Sequence, residues 1–315
     1  MKRSFHELSV ALALGLILLL MACVAPGFFQ AQPLRSLATR EAVTLIVACG
    51  TALVIINRQI DISVGSQFAV CSVTIGMLAA MKWPLGLLLP ASILLGAAMG
   101  AINGTLVAGL GLPSIVVTLA TMVTWREGLR WFRQGEFINL PDDLQWFGLG
   151  QTTGQILLIA GGFLLFLTLA WMTRHLVAAR WVYAVGSDAE AARLAGLRPR
   201  RVTLMNFVFN GALIGLAAMM NVAQSPQVDP KSGTGLELKA IAAAVIGGVA
   251  ISGGRGNLWG VLAGVLLLGC IGPALTHLHI EPHWEKAIQG GIILIAVIAD
   301  GWRNRRSAVR SVQQR

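Results

Sequence analysis

The chain has 315 residues, 12% of them charged and 56% hydrophobic, with a mean hydropathy of +0.73 and a formal net charge of +10. Soluble domains carry about 25% charged residues, so this composition excludes an ordinary water-soluble protein and indicates an integral membrane protein with lipid as its outer solvent. The basic balance would suggest nucleic acid in a soluble chain; here the gathering of Lys and Arg on cytoplasmic loops accounts for it, and no nucleic acid is expected.

The first apolar run, MKRSFHELSVALALGLILLLMAC, has the basic start, apolar core and small residue before Cys23 that mark lipoprotein or secretory signals. The rest of the chain is equally apolar, so an uncleaved first span at 8–26 explains it. Further spans of the length a bilayer requires fall at 41–57, 62–80, 84–106, 113–132, 153–172, 203–223, 236–251, 257–276 and 284–301. The expected fold is all-α: a polytopic membrane helix bundle of about ten spans, a single transmembrane domain over 1–315. An even count places both termini on one side. With the termini in the cytoplasm, the inner segments hold Lys2, Arg3, Arg58, Arg174, Arg180, Arg193, Arg198, Arg200, Arg201, Arg255, Arg303, Arg305, Arg306, Arg310 and Arg315. These are most of the basic residues, as the positive-inside rule demands, and the basic tail suits contact with anionic lipid. Cys23, Cys49, Cys71 and Cys270 lie in apolar runs without a CxxC pair and read as small buried residues.

Between the second and third spans stands NRQIDISVGS, residues 57–66. It is either a tight surface turn with Asp61 capping the next helix through the amides of Ser63 or Val64, or a helix break inside the bundle, which membranes tolerate where it lines a cavity or is buried in protein. In the second case Arg58 pairs with Asp61 and Asn57 meets substrate hydroxyls. Asn103, among small residues, suits close helix packing or a path. Thr118 and Thr121 share a helix face. Arg126 and Glu127 need a mutual or cross-helix partner, because an isolated charge at mid-helix costs about 2.5–3.5 kcal/mol on insertion scales. Trp125 and Trp131 read as interface anchors, and Asn206, Asn210 and Asn221 as candidates for interhelical bonds.

The long inner segment, 174–202, contains SDAEAARLAGL. Ser187 or Asp188 can cap a short helix, Glu190 sits in its first turn and Gly196 is a natural stop. Local physics leaves two readings, a docking helix and a solvated connector. The five glycines of GGVAISGGRGN, 247–257, form a turn or a close-packed joint rather than a phosphate cradle, since no Lys-Ser/Thr follows. His277, His279 and His283 have the spacing of metal ligands, but on an outer loop they read as ordinary hydrogen-bonding residues, and no metal is expected.

Four stretches in this order resemble one family. IDISVGS, LPSIVVTLATMVTWREGLRW, GSDAEAARLAGLRPRRV and GTGLELKAIAAAVIGGVAISGGRGNLWG are similar to blocks of ribose-type sugar ABC importer permeases, and the likeness reaches from about residue 45 to 300. Within that family the chain resembles autoinducer-2 and rhamnose permeases: Asn57-Arg58 stands where ribose permeases carry two glycines. The resemblance implies a bundle of about ten spans paired with a second permease subunit, identical or paralogous. It also implies a cytoplasmic ABC ATPase holding ATP and magnesium, a periplasmic sugar-binding protein, and a place in the bacterial inner membrane. No G-x-x-x-x-G-K-[ST] loop occurs, so this chain has no cofactor of its own by this reading. Gly186, Glu190, Ala191, Ala192, Arg193 and Gly196 are the residues expected to couple to the ATPase. Asn57, Arg58, Asp61, Asn103 and Thr118 are those expected along the substrate path. An ion-coupled secondary transporter is the alternative, needing interior carboxylates, of which Asp61, Glu127 and Glu237 are the few candidates. No nucleophile–base constellation suggests an enzyme.

Overall fold

The computed structural model describes residues 26–281 and 284–291 continuously, with residues 12, 14–16, 18, 19, 21–23, 293 and 294. The chain is mostly helical. Helix α1, Ala31–Ile56, runs through the centre: every residue from Glu41 to Ile56 is buried. A helix apolar all round belongs in such a place. It begins ten residues before the expected span 41–57. The stretch AQPLRSLATR is rich in good helix formers, and its Pro33 falls in the first turn, where proline leaves no hydrogen bond unmade.

Helix α2 is Val64–Ala80, α3 is Leu85–Gly104 with a π turn over Thr105–Gly109, α4 is Ser114–Arg133 and α5 is Gln151–His175. The expected inner loop 174–202 is largely helical: α6, Val177–Ser187, and the short α7, Ala189–Leu194, precede α8, Pro199–Val222. Pro199 occupies the first turn of α8, where its fixed φ suits a helix start. Helix α9, Leu236–Ile246, stops earlier than the expected 236–251, because Gly247 and Gly248 follow and Gly248 takes a positive φ of 85°. Its 11 residues span roughly 16 Å, about half a bilayer core. Helix α10 is Leu258–His277.

Five helices among the described residues are long and apolar enough to cross a membrane: α1, α3 with its π turn, α5, α8 and α10. Helix α2 is a shorter apolar helix, and α4 carries four charged side chains near its end. The outer parts of the expected spans 8–26 and 284–301, both termini, the basic tail and His283 lie outside the described residues.

Glycines set the helix spacing. Helices α3 and α8 cross antiparallel, with Gly96, Gly100 and Gly104 facing Gly211, Phe207 and Leu204, and the Ser92 hydroxyl donates to the Gly215 carbonyl at 2.6 Å. A Cβ at Gly96, Gly100, Gly211 or Gly215 would overlap a carbonyl oxygen of the facing helix. This is small-residue packing of the kind bilayers favour. Helices α9 and α10 approach in the same way through Gly247, Gly260 and Gly264. Two-residue strands β1, Ile138–Asn139, and β2, Gln227–Val228, pair antiparallel. They join two loops expected on the same outer side. At the other end, the turns at 57–58 and 250–256 meet the end of α6.

Candidate functional site

Residues 57–63 break the chain between α1 and α2. Asn57 closes α1, and Arg58 takes a left-handed φ of 64°. The extended stretch that follows is held by hydroxyls of α4. Ser114 Oγ accepts from the Ile60 amide at 3.2 Å, and Thr118 Oγ1 accepts from the Ile62 amide at 3.1 Å. Thr118 donates in turn to the Ser114 carbonyl at 2.8 Å. Backbone groups that a helix would have satisfied are therefore met by side chains, which is what lets a break persist inside a bundle.

Asp61 is fully buried. Its Oδ1 accepts from the amide and hydroxyl of Ser63; its Oδ2 accepts from Asn210 Nδ2 at 3.0 Å and Gln67 Nε2 at 3.3 Å. Asn103 Nδ2 donates to Ser63 Oγ at 2.8 Å, while its Oδ1 accepts from Thr121 at 2.9 Å. One knot thus ties the break to α2, α3, α4 and α8. The expected bond from the Ser63 amide to Asp61 forms, but Ser63 and not Asp61 is the N-cap of α2. The expected Arg58–Asp61 pair does not form: Arg58 is exposed at the 253–254 turn, and four neutral donors serve the carboxylate instead. Asn57 is buried and donates to Thr203 at 3.0 Å. Asn206 donates to the Leu53 carbonyl at 2.9 Å, and Asn221 lies in the last turn of α8.

The surface segment from Gly186 to Gly196 has a definite form. Asp188 Oδ1 accepts from the amides of Glu190 and Ala191 at 2.9 and 3.0 Å, capping α7. Arg193 Nε donates to Glu190 at 2.9 Å and holds its carboxyl below the ordinary value. Ala192 is buried, Ala191 is exposed, and Leu194 keeps 76% of its surface. Gly196, at φ 87°, ends the segment. Gly186 is buried against the end of α1: a Cβ there would overlap the Ile56 carbonyl oxygen, which also accepts from the Gly254 amide at 2.8 Å. The six residues expected to couple fall on one segment, joined by Gly186 to the break.

A profile of the family described as "Branched-chain amino acid transport system / permease component" matches residues 34–297. The chain belongs to this permease family. The permease is 33% identical to the autoinducer 2 import system permease protein LsrC of Enterobacter sp. (strain 638), over 97% of this chain and 89% of that one. It is 30% identical to the ribose import permease protein RbsC of Escherichia coli (strain K12), over 92% of both. No solved structure matches it. Family description and relatives name different cargoes, so membership settles the role of transport permease and leaves the cargo open.

At the end of the bundle away from the Asn57–Arg58 turn the permease holds a cavity of about 1030 Å³ between α1, α9, α10 and residues 285–289. Lys239 on α9 meets Glu41 on α1 at 2.7 Å in its wall. Neither residue was singled out by sequence reasoning as a partner of the other. Glu41 stands at the head of an apolar run and Lys239 in a helix that looked like an ordinary span, and only the fold brings them together. Arg126 reaches Glu237 across helices at 3.8 Å, and Glu127 pairs with Arg130 on the exposed face of α4. None of Asn57, Arg58, Asp61, Asn103 and Thr118 lines this cavity. No group of His, Cys, Asp and Glu suited to a metal occurs among the described residues.

Proposed function

We propose that this chain is the membrane permease subunit of an ATP-driven importer for a sugar or sugar-like molecule, seated in a bacterial inner membrane and working by alternating access. A separate ATPase holds ATP and magnesium, a periplasmic binding protein delivers the cargo, and a second permease subunit, identical or paralogous, completes the path. Family membership supports the permease role, and the names of the two relatives support sugar-like cargo. The observation that carries the coupling reading is the capped surface helix α7, which exposes Ala191 and Leu194 to a partner's groove and is fixed by Gly186 to the carbonyl of Ile56. The knot around Asp61 is the element held in shape. Its groups bond one another in this arrangement, so Asn57, Asp61, Asn103 and Thr118 fix the break beside the path, and Arg58 belongs to its inner rim.

The test is a pull-down of the detergent-solubilised complex, wild type against Glu190→Lys/Gly196→Trp. The ATPase is expected with the wild type and lost from the variant, while the variant still inserts and melts cooperatively. Recovery of no ATPase from either, with transport by the chain alone, would turn the reading to the ion-coupled secondary transporter.

A further inference from the structure

Every charged side chain on α5 and α6 is basic. No Asp or Glu occurs between Asp143 and Asp188, and this stretch holds Arg174, His175 and Arg180. Among the described residues neither arginine meets a carboxylate. The next acids along the chain, Asp188 and Glu190, are engaged in the cap and the ion pair of α7. One extended residue, Leu176, separates α5 from α6, and side chains close the elbow. Arg180 Nη2 donates back to the His175 carbonyl at 3.2 Å, and the His175 ring stacks on Trp171 with centroids 5.2 Å apart. The Arg180 guanidinium is thereby held over the end of α5, with Arg174 on the residue adjoining that carbonyl, and four of its five N–H groups still point elsewhere.

The charges end an apolar stripe. Leu164, Leu167, Trp171 and Arg174 recur at three- and four-residue spacing, so they share one face of α5, and all four are exposed. On α6, Val177 and Trp181 are exposed beside Arg180. A helix that shows water-avoiding side chains next to arginine belongs in the headgroup boundary of a bilayer. The order along the α5 face is aliphatic, then indole, then guanidinium. A phospholipid presents the matching order of acyl chain, ester region and phosphate, with Trp favoured at the headgroup level. Arginine forks fit phosphate oxygens in pairs. Two guanidinium groups without a carboxylate repel the ammonium of a zwitterionic headgroup, whereas an anionic headgroup brings no such cation.

We infer that the elbow between α5 and α6 is a binding site for an anionic phospholipid, with Arg174 and Arg180 on its phosphate, Trp171 and Trp181 at its ester level, and one acyl chain along Leu167 and Leu164. The site requires a bilayer around the chain and is independent of the cargo and of the importer reading.

The experiment uses the full chain in mixed micelles of detergent and phosphatidylcholine. The probe is phosphatidylglycerol with brominated acyl chains, which quench an indole on contact. The signal is the tryptophan quenching that Trp171→Phe removes, read as the mole fraction of probe at half effect. Each arginine near a headgroup is worth about fivefold in binding, so Arg174→Gln and Arg180→Gln should each raise that midpoint about fivefold and the pair about 25-fold. Arg174→Gln leaves the bond from Arg180 to the His175 carbonyl intact and decides the matter if Arg180→Gln distorts the elbow. Arg200→Gln/Arg201→Gln, which removes two exposed arginines at the start of α8, should leave the midpoint where it is. Equal quenching by brominated phosphatidylcholine, an unchanged midpoint in Arg174→Gln, or an equal shift in the Arg200/Arg201 variant would each overturn the proposal, the last by showing diffuse surface charge. Competition by soluble glycerol 3-phosphate would overturn it in favour of a free phosphate. Loss of the signal when co-purified partner subunits are left on the chain would give the surface to a protein instead.

Discussion

Replacing Gly186 with alanine puts a methyl group where the Ile56 carbonyl oxygen stands. The added carbon would also lie 2.8 Å from the Ile56 carbonyl carbon and 3.0 Å from the Gly254 nitrogen. Comfortable carbon contacts are about 3.5–4.0 Å, so α6 and the end of α1 must part by roughly an ångström. Overpacking of this kind costs about 1–3 kcal/mol. The separation also strains the 2.8 Å bond from the Gly254 amide to the Ile56 carbonyl, whose loss adds about 1 kcal/mol. The expected total is about 2–4 kcal/mol, placed at the joint between the proposed docking segment and the break. Helix α7 itself is untouched, so Gly186→Ala should still capture the ATPase. It should melt earlier than wild type in detergent and, in proteoliposomes, move less cargo for each ATP hydrolysed. A variant with wild-type melting and an unchanged ratio of uptake to hydrolysis would refute the argument that this contact transmits anything.

Three further outcomes follow from the same geometry. Asn210→Leu removes one of the four donors to Asp61 and should destabilise the permease by about 1–2 kcal/mol, near the upper end measured for polar pairs in bundles; an unchanged melting temperature would show that the knot is slack. Gly211→Ala drives a methyl into the Gly96 carbonyl and should cost about 1–3 kcal/mol or more by forcing α3 from α8; disulfide trapping between cysteines at 97 and 212 would lose efficiency if the helices part and keep it if they do not. Glu190, whose carboxyl Arg193 holds below its ordinary 4.5, contributes through its charged form. Its ion pair is therefore intact above that value and lost as pH falls through the lowered pKa. ATPase capture should be flat from neutral pH down to about 5 and weaken below it, and Glu190→Gln should lack that acid limb; identical profiles would place Glu190 outside the docking contact.

Helix positions were legible wherever an apolar run was bounded by a strong breaker. Pro84 and Pro113 precede α3 and α4, and the glycine turn precedes α10. The start of α1 was not legible, because Arg35, Arg40 and Glu41 read as the end of a span although nothing there stops a helix. The end of α9 was misplaced because hydropathy runs on through Val249, Ala250 and Ile251 after the glycines have already turned the chain. At the site, Asp188 as cap, the Glu190 turn and the Gly196 stop are local and were readable. The bonds of Asn103 to Ser63, Asn210 to Asp61 and Asn57 to Thr203 join residues far apart in the chain. Sequence could name most of the members as polar residues needing partners, but only the packing of α1, α3 and α8 around the break assigns them. The same holds for Glu41 and Lys239, which are 198 residues apart.

In the proposed importer the docking segment reaches the break by two routes. One is contact: Gly186 lies on the Ile56 carbonyl, with Gly253 and Gly254 packed on the same joint. The other is covalent: α7 leads through Gly196 into Pro199 and α8, whose Thr203, Asn206 and Asn210 bond Asn57, Leu53 and Asp61 in turn. A displacement of α7 therefore arrives at residues 53–61 from both sides. Helix α8 meets α3 through bare backbone at Gly96, Gly211 and Gly215, where no long side chains interlock to resist sliding. The break can answer such a motion because its backbone is held by hydroxyls of Ser114 and Thr118 rather than by a helical ladder. Each of those bonds is worth about 1 kcal/mol net, an amount that a partner subunit can exchange, whereas unwinding a continuous helix in lipid would cost far more.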